Sequence, residues 1–302
     1  AIVVEIAKAA RGHDLVYANS QKAFVLAAFA SVMARRPLIW HLHDIISPAH
    51  FGAAQRRVQV LLANRCAVKV IVPSHAAAAA FIAAGGRRDL VEIVPNGLTL
   101  QPEPMSRSEL RRKLGLPSGP LVGVFSRLAA WKGQHVLLEA LARLPGVGCI
   151  VVGDALFGEQ DYAVRLQQMV AELGLTGRVH FLGHRNDVPR VMQAVDVMVH
   201  PSIDPEPFGR TLVEAMLSGV PVIATDAGAA PDILESGRAG TLIPPGDPSA
   251  LAAAIAAVLA EPDQFANQLD YAAQRARAEY SLARMCDAIG LLITKAQAGA
   301  AA

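Results

Sequence analysis

The sequence is poor in cysteine. Cys66, Cys149 and Cys286 stand far apart in the 302 residues and form no CxxC pair. This spacing excludes a disulfide framework and a cysteine zinc site, and it fits a reducing compartment. We expect all three to be free thiols that pack as small apolar residues.

Charged residues and long apolar runs are also scarce. Charged residues make up 18% of the chain and hydrophobic residues 53%, the opposite of the balance that disorder requires. No apolar run reaches the roughly 20 residues that cross a bilayer, and no signal peptide is visible. Ala76 to Ala84 is too short to span and is typical of a globular helix. The composition predicts parallel sheets covered on both faces, with enough chain for two domains.

The two halves of the chain differ in charge. Residues 1–115 hold 15 Lys and Arg against 7 Asp and Glu, whereas residues 116–302 hold 13 against 19. No aromatic residues interleave with the basic ones, so we expect no nucleic-acid partner. A solvated surface, an anionic membrane surface and a phosphate-bearing acceptor remain open as explanations. We expect a cytoplasmic protein, with peripheral contact to the inner face of the membrane through the basic half.

Short apolar runs alternate with amphipathic helical stretches, which predicts βαβ units. The predicted strands are Leu15–Asn19, Pro37–His43, Val68–Pro73, Val91–Pro95, Leu121–Phe125, Cys149–Gly153, Val179–Leu182, Val195–His200, Val220–Thr225 and Gly240–Ile243. The main predicted helices are Gln21–Arg35, Gln134–Leu144, Gln160–Leu173, Arg210–Ser218, Pro248–Leu259 and Leu282–Lys295.

A proline-rich stretch interrupts this rhythm and is interpreted as a linker. The predicted division is an N-terminal domain at 1–105, a linker at 106–119, a second domain at 120–280 and a C-terminal helix at 281–302. That helix is expected to cross back to the N-terminal domain. Ser106 or Ser108 is predicted to cap a helix at Ser108–Leu114 within the linker. Because ligands bind at the carboxyl ends of parallel strands, a ligand is expected in a cleft between the two domains.

The segment from Asp204 to Glu214 carries two carboxylates beside a predicted helix N-terminus. Pro205 and Pro207 stiffen a loop after a strand, and Gly209 precedes the helix, whose free N–H groups suit a phosphate. Glu206 and Glu214 are placed to hold hydroxyl groups of a sugar nucleotide. A capped helix with a surface acid explains the same spacing.

A second segment, from Phe125 to Gly133, carries two cations. Arg127 leaves a strand and Lys132 follows five residues later, before a helix. Together they suit a diphosphate, the arginine as a bidentate donor and the lysine as a point charge. An exposed basic loop is the alternative.

With these motifs in place, the chain resembles family 4 of the retaining glycosyltransferases, which has the GT-B architecture of two Rossmann-like domains facing across a cleft. Glu206 and Glu214 match the E-x7-E pattern in "EPFGxxxxEAM", and Arg127 and Lys132 match "GRLxxxKG", with Ser126 in place of the first glycine. The further matches, in the family's order, are "IVPNG" at Ile93–Gly97, "VVGD" at Val151–Asp154, "VHFLGH" at Val179–His184 and "GVPVIATDAG" at Gly219–Gly228.

The resemblance implies a role for each matching residue. It implies that Arg127 and Lys132, with the backbone at Gly209, Arg210 and Thr211, bind the donor diphosphate. It places the ribose at Glu214, the base at His184 and Arg185, and the donor sugar at Glu206, Phe208 and His43. His43, Glu206, Arg127 and Lys132 are then the catalytic set. His41 is predicted to point to the opposite face from His43.

The resemblance also implies a reaction. A sugar moves from a nucleoside diphosphate, with UDP-glucose as the expected donor, to a hydroxyl of a glycan or lipid-linked acceptor in bacterial polysaccharide synthesis. The anomeric configuration is retained, and no cofactor or metal is expected. The chain begins inside a helix, so the family's first strand and glycine-rich loop are predicted to be missing from an N-terminally truncated domain. A non-catalytic sugar-nucleotide-binding protein and a sugar-nucleotide epimerase of the same architecture remain as alternatives.

Overall fold

A computed structural model describes residues 1–48 and 51–301. The chain forms two compact units. The first unit contains Ala1–Gly97, Glu206–Phe208 and the residues from Tyr280 onward, and the second contains Leu98–Pro205 and Gly209–Glu279. Ala302, the last residue of the predicted C-terminal segment, lies outside the described residues.

The first unit is a parallel sheet with helices between its strands. Its strands are β1 (Val16–Ala18), β2 (Leu38–His41), β3 (Ala67–Val72) and β4 (Val91–Ile93), and they pair in the order β1-β2-β3-β4. Its helices are α1 (Ile2–Ala10), α2 (Gln21–Ala34), α3 (Ala53–Cys66), α4 (His75–Ala83) and, beyond the second unit's sequence, α13 (Leu282–Ala301). Alternate residues of a strand face opposite sides, so this sheet has two apolar faces to cover.

The C-terminal helix α13 packs on one of these faces. Leu292 of α13 lies in a cluster with Ile39 and Ile71 from the two central strands. Gly97 allows the close approach at the start of the helix, because a Cβ on this residue would lie 2.6 Å from Leu282 Cα and 2.7 Å from Ser281 O. Both of those atoms are backbone, so a side chain at position 97 would require the helix to move.

The second unit is a larger parallel sheet. Its strands are β5 (Leu121–Phe125), β6 (Gly148–Val152), β7 (Val179–Gly183), β8 (Val197–His200), β9 (Val222–Thr225) and β10 (Thr241–Ile243). Its helices are α5 (Arg107–Leu114), α6 (Gln134–Leu141), α7 (Gln160–Glu172), α8 (Val188–Gln193), α9 (Arg210–Leu217), α10 (Ala230–Ile233), α11 (Pro248–Ala260) and α12 (Ala266–Glu279). All ten predicted apolar runs therefore contain strands.

The strands of this second sheet are ordered β10-β9-β8-β5-β6-β7, and every pairing is parallel. The chain runs outward from β5 through β6 to β7 on one side and from β8 through β9 to β10 on the other. This is the doubly wound order, and its direction reverses between β5 and β8. The buried core between this sheet, α6 and α11 is built from aliphatic side chains such as Val124, Leu137 and Ile255.

Helix α5 lies within the stretch interpreted as a linker, and the structure ties it into the second unit. Ser106 caps it with a reciprocal capping box to Glu109, as the sequence suggested. The buried Arg111 donates to Asp196 Oδ2 at 2.8 Å and to Ala194 O at 2.7 Å, just before β8. Residues 106–119 thus belong to the second unit, and the observed division between the units falls earlier, at Gly97.

The cysteines do not all follow the expectation. Cys149 is buried and Cys66 is half-buried, but Cys286 is exposed on α13. The Cys286 side chain is therefore not packed as the sequence predicted. Among the described helices, none combines the length and the apolar character that a membrane span requires.

Candidate functional site

The reversal of strand order in the second unit creates a place for a ligand. Chain segments that leave neighbouring strands in opposite directions open a crevice at the carboxyl ends of those strands. Here these are the loop of residues 126–133 after β5 and the loop of residues 201–209 after β8. Both predicted ligand motifs lie on these two loops.

The β5 and β8 loops are held together through their backbones. Ile203 N donates to Trp131 O at 2.8 Å. Gly133, with φ of +71°, lies so close to the other loop that a Cβ would stand 2.0 Å from Pro201 O. Only glycine combines this left-handed conformation with this approach.

The two predicted cations meet at one indole ring. Arg127 Cζ lies 5.3 Å from the centroid of Trp131, and Lys132 Nζ lies 4.3 Å from it. Buried Gln134 fixes the loop backbone below them by donating to Ser126 Oγ and Arg127 O, both at 2.9 Å. The arrangement concentrates positive charge at the carboxyl end of β5.

Helix α9 begins at the other loop. Gly209 precedes it in a left-handed conformation, with φ of +78°. His200, the last residue of β8, is buried and hydrogen-bonds to Thr211 Oγ1 at 3.3 Å and to Ser202 Oγ at 3.4 Å. It thereby joins the strand end to the loop and to the first turn of α9, whose N–H groups favour an anion.

Glu214 lies on α9, one turn beyond Arg210. Burial raises the pKa of its carboxyl, and the charge of Arg210 opposes that shift only partly. Arg210 Nη2 is 3.5 Å from Glu214 Oε1, and the Arg210 side chain is 65% exposed against 18% for the glutamate. The Glu214 carboxylate is therefore largely shielded from solvent, and the exposed Arg210 pairs with it only at a long distance.

Glu206 and Phe208 cluster with the first unit. Glu206 is 9% exposed. Phe208 is 3% exposed, and its ring packs edge-on against Tyr280, with centroids 5.7 Å apart. This ring is an interior packing residue and offers no open surface, so the predicted sugar contact through the Phe208 side chain is not supported.

The turn after β7 carries the predicted base-binding pair. Asp154, at the end of β6, accepts from His184 N at 3.0 Å and so fixes this turn. Arg185 donates to both carboxylate oxygens of Asp187 at 2.7 Å, and this ion pair lowers the pKa of Asp187. His184 Nε2 lies 3.2 Å from Asn186 Oδ1. The turn is thus braced by its own side chains at the same edge of the sheet as the two cations.

His43 belongs to the first unit and contacts a row of polar side chains. His43 Nε2 is 2.6 Å from Asn19 Oδ1, and its ring centroid is 4.0 Å from that of His41. His41 Nδ1 in turn is 2.7 Å from Tyr17 Oη. Burial lowers the pKa of His43 despite the opposing charge of Asp44, so its imidazole is neutral near pH 7.

The predicted orientation of His41 is wrong. Residues two apart along a strand share a face, so the rings of His41 and His43 lie together instead of on opposite faces. Burial and the neighbouring His43 charge lower the pKa of His41 to about 4, which keeps it neutral as well.

Several residues that shape the site were missed from the sequence. Trp131, Gln134 and His200 help to fix the loops, but no motif marked them, although His200 ends an otherwise apolar run. Gly133 and Asp154 were visible in the motifs "GRLxxxKG" and "VVGD", without a role assigned to either. The roles of Trp131, Gly133 and Asp154 depend on contacts between segments that are distant in the chain.

Two family profiles match the chain. The profile described as "Glycosyl transferases group 1" matches residues 106–276, and the one described as "Glycosyl transferase 4-like domain" matches residues 2–97. The predicted class, parallel α/β units of the GT-B type, is confirmed.

Solved and curated relatives agree with these profiles. The chain is 45% identical to Anabaena Alr3699/HepE, crystallised with UDP and with UDP-glucose, at a TM-score of 0.93 over 97% of this chain and 82% of that one. It is 34% identical to the lipopolysaccharide core biosynthesis mannosyltransferase LpsB of Rhizobium meliloti, over 60% of this chain and 55% of LpsB. It is 36% identical to the D-inositol 3-phosphate glycosyltransferase of Mycobacterium marinum, over 56% of this chain and 37% of that protein. The matches span little more than half of these curated relatives at most.

The contact between the β5 and β8 loops can be tested at Gly133. Gly133→Ala is expected to lower the free energy of unfolding by about 2–4 kcal/mol, because the new Cβ meets Pro201 O in addition to the backbone strain. Gly146→Ala is the matched control: its φ is +82°, but nothing lies within 4 Å of the added Cβ. It should lose only about 1 kcal/mol. Equal losses in thermal or urea unfolding would show that the loops do not touch.

The buried charge of Glu214 predicts a pH-dependent gain in stability on neutralisation. Since its folded pKa is raised, this group's contribution is fully present below the ordinary pKa of 4.5 and is lost as pH rises through the folded value. Glu214→Gln should therefore gain unfolding midpoint over the wild type as pH rises from 4 to 7. The exposed Glu172, paired with Arg165 at 2.7 Å, is the control, and Glu172→Gln should lose slightly instead. A gain at Glu214 that is equal at all pH values would contradict the assignment.

Proposed function

Since the chain belongs to the glycosyl transferases group 1 family, we propose that it transfers a sugar from a nucleoside diphosphate to an acceptor hydroxyl with retention of configuration. The observation that carries this proposal is the pair of cations over Trp131, on a loop whose backbone is hydrogen-bonded to the loop that leads into α9. Cleavage of a sugar nucleotide builds negative charge on the leaving diphosphate, and fixed positive groups stabilise that charge.

The diphosphate is assigned to the two joined loops. Arg127 is a bidentate donor, Lys132 is a point charge, and the backbone at Gly209, Arg210 and Thr211 adds N–H donors. These groups supply the charge stabilisation that a metal provides in other transferases, so we expect activity without added metal.

The nucleoside is assigned to Glu214 and the turn after β7. A carboxylate accepts hydrogen bonds from two ribose hydroxyls, and such bonds compensate the cost of burying its charge. His184 and Arg185 lie against the base. UDP-glucose is the proposed donor, which the 45% identity to HepE supports.

Glu206 and His43 are assigned to the donor sugar on the strength of the family motifs. In the proposed step the bond from the anomeric carbon to the phosphate oxygen breaks, and the bond to the acceptor oxygen forms on the same face. The leaving phosphate oxygen takes the acceptor's proton. The neutral His43 then acts as a hydrogen-bonding group and Glu206 as a positioning group, neither as the proton acceptor.

The acceptor is proposed to be a glycan or a lipid-linked saccharide of bacterial polysaccharide synthesis. The names of the lipopolysaccharide core relatives support this class. The position of the acceptor hydroxyl determines the glycosidic linkage. A screen of acceptors with labelled UDP-glucose would identify both the acceptor and the linkage.

The donor site is tested by binding and turnover with UDP-glucose. Arg127→Met, Lys132→Met and Glu214→Ala should each raise the Kd about tenfold or more, because each removes a charge-assisted hydrogen bond. Glu206→Ala should mainly lower turnover. Arg143→Met, which changes an exposed arginine outside the site, is the control and should leave both unchanged.

The outcomes separate the alternatives. UDP-glucose binding without transfer to any acceptor extract would favour a non-catalytic binding protein. Conversion of UDP-glucose to another UDP-hexose would favour an epimerase. Unchanged binding in all three donor-site variants would remove the proposed site.

We also propose that the first unit makes peripheral contact with an anionic membrane from the cytoplasmic side, through the exposed faces of α2 and α3. On α2, Phe29, Val32 and Met33 are 52%, 62% and 47% exposed at helical spacing, and on α3, Val58 and Leu61 are each 49% exposed. The helices and the two residues after α2 contain Lys22, Arg35, Arg36, Arg56, Arg57 and Arg65 but no acidic residue. Apolar side chains on helices that carry basic but no acidic residues match an anionic lipid interface, whereas a second copy would meet like charge.

Vesicle sedimentation tests this contact. Binding to phosphatidylglycerol vesicles is expected, weaker at higher salt and absent with phosphatidylcholine alone. Phe29→Ser with Val32→Ser should lower the bound fraction severalfold. Val164→Ser, which changes a residue 53% exposed on α7, is the control and should not. No binding to anionic vesicles, or equal loss in the control, would refute the contact.

A further inference from the structure

Phe157 is an exposed aromatic residue in a costly backbone conformation. It is 87% exposed, and its φ is +58°, in the left-handed region that L side chains other than asparagine and aspartate rarely adopt. Core packing cannot explain this, since burial of the ring is nearly absent. Such a residue in such a conformation points to a contact outside the core.

The loop after β6 brings Phe157 to the candidate site. Pairing between the β5 and β6 segments continues past the strand ends: Leu128 N donates to Asp154 O at 3.0 Å, and Leu128 forms a bridge with Ala155. The chain then turns at Phe157 and Gly158, both with positive φ. This path carries the Phe157 ring to 5.4 Å from Arg127 Cζ.

Arg127 thus contacts two aromatic rings, Trp131 at 5.3 Å and Phe157 at 5.4 Å. Across the described residues its guanidinium makes no ion pair. Arg185 differs from Arg127 in this respect, because both carboxylate oxygens of Asp187 neutralise it. Aromatic rings orient a guanidinium without supplying an opposing full charge. Arg127 is therefore held in place while its charge remains available to an anion.

We propose that Phe157, together with Trp131, is a positioning residue that holds Arg127 for the donor diphosphate. This rests on the proposed function and adds a residue that no sequence motif marks. Trp131 braces the guanidinium from within the β5 loop, and Phe157 braces it from the β6 loop. The nucleobase is an alternative partner for the open face of the Phe157 ring, and the experiment separates the two.

Binding of UDP, inorganic pyrophosphate and uridine is measured for the wild-type chain and for Phe157→Ala. The variant is expected to bind UDP and pyrophosphate about two- to fivefold more weakly, with uridine unchanged. Phe157→Tyr should restore wild-type binding because it keeps the ring. Leu156→Ala is the matched control in the same loop, 49% exposed, and should bind as the wild type does.

A double-mutant cycle assigns the effect to Arg127. In an Arg127→Met background, Phe157→Ala should cause no further loss of UDP affinity. Phe157→Gly provides a check on folding. It removes the strain of a side chain at positive φ, so it should raise the unfolding midpoint while still weakening UDP binding. A variant that gains stability and loses affinity cannot owe the loss to misfolding.

Three results would overturn the proposal. They are unchanged UDP binding in Phe157→Ala, an equal loss for uridine, which would place the base on the ring, and a full additional loss in the Arg127→Met background. Failure of the proposed function is distinct, since the wild-type chain itself would then not bind UDP.

Discussion

The candidate site depends on the backbone contact between the loops that follow β5 and β8. Trp131 O accepts from Ile203 N, and Gly133 lies against Pro201 O, so two segments about seventy residues apart are fixed as one surface. This contact fixes the position of the Trp131 indole, which both cations contact. It also fixes the loop that leads into α9. Without it, Arg127 and the α9 N-terminus would be independent features, and neither alone would select a diphosphate.

The arginines of the second unit serve two different ends, and their partners show which. Arg111 is buried and bound to Asp196 and to carbonyl oxygens, so it holds α5 against the sheet. Arg185 is neutralised by Asp187 and braces a turn. The Arg127 guanidinium instead contacts the rings of Trp131 and Phe157, and it makes no ion pair within the described part of the chain. In the proposed donor site, contact with aromatic faces holds the Arg127 guanidinium without an opposing full charge, which leaves its charge to the diphosphate.

The sequence predicted the strands well because each is a short apolar run in a sheet covered on both faces. The two ligand motifs were also visible, since they stand after strands. The contacts between loops could not be predicted, because Trp131 and Gly133 act through Ile203 and Pro201, which lie far along the chain. Phe157 belongs to no motif with a defined spacing. The predicted orientation of His41 was wrong for a simpler reason. Residues two apart on a strand share a face, and the prediction placed His41 and His43 on opposite faces. The sequence did not predict that Arg111 anchors α5 to the second unit. Proline content indicates where regular structure is interrupted, but it does not indicate what the helix between the prolines contacts.

The packing of α13 on the first sheet has a consequence for the order of assembly. Ile39 and Ile71 are synthesised before the whole second unit, yet their face is covered by Leu292, which is synthesised after it. All sequence of the second unit is made before that cover arrives. During synthesis the first unit therefore carries an open apolar face, and the second unit is the one able to fold first. The narrow fit at Gly97 then makes closure of this face depend on α13, whose start lies against that glycine.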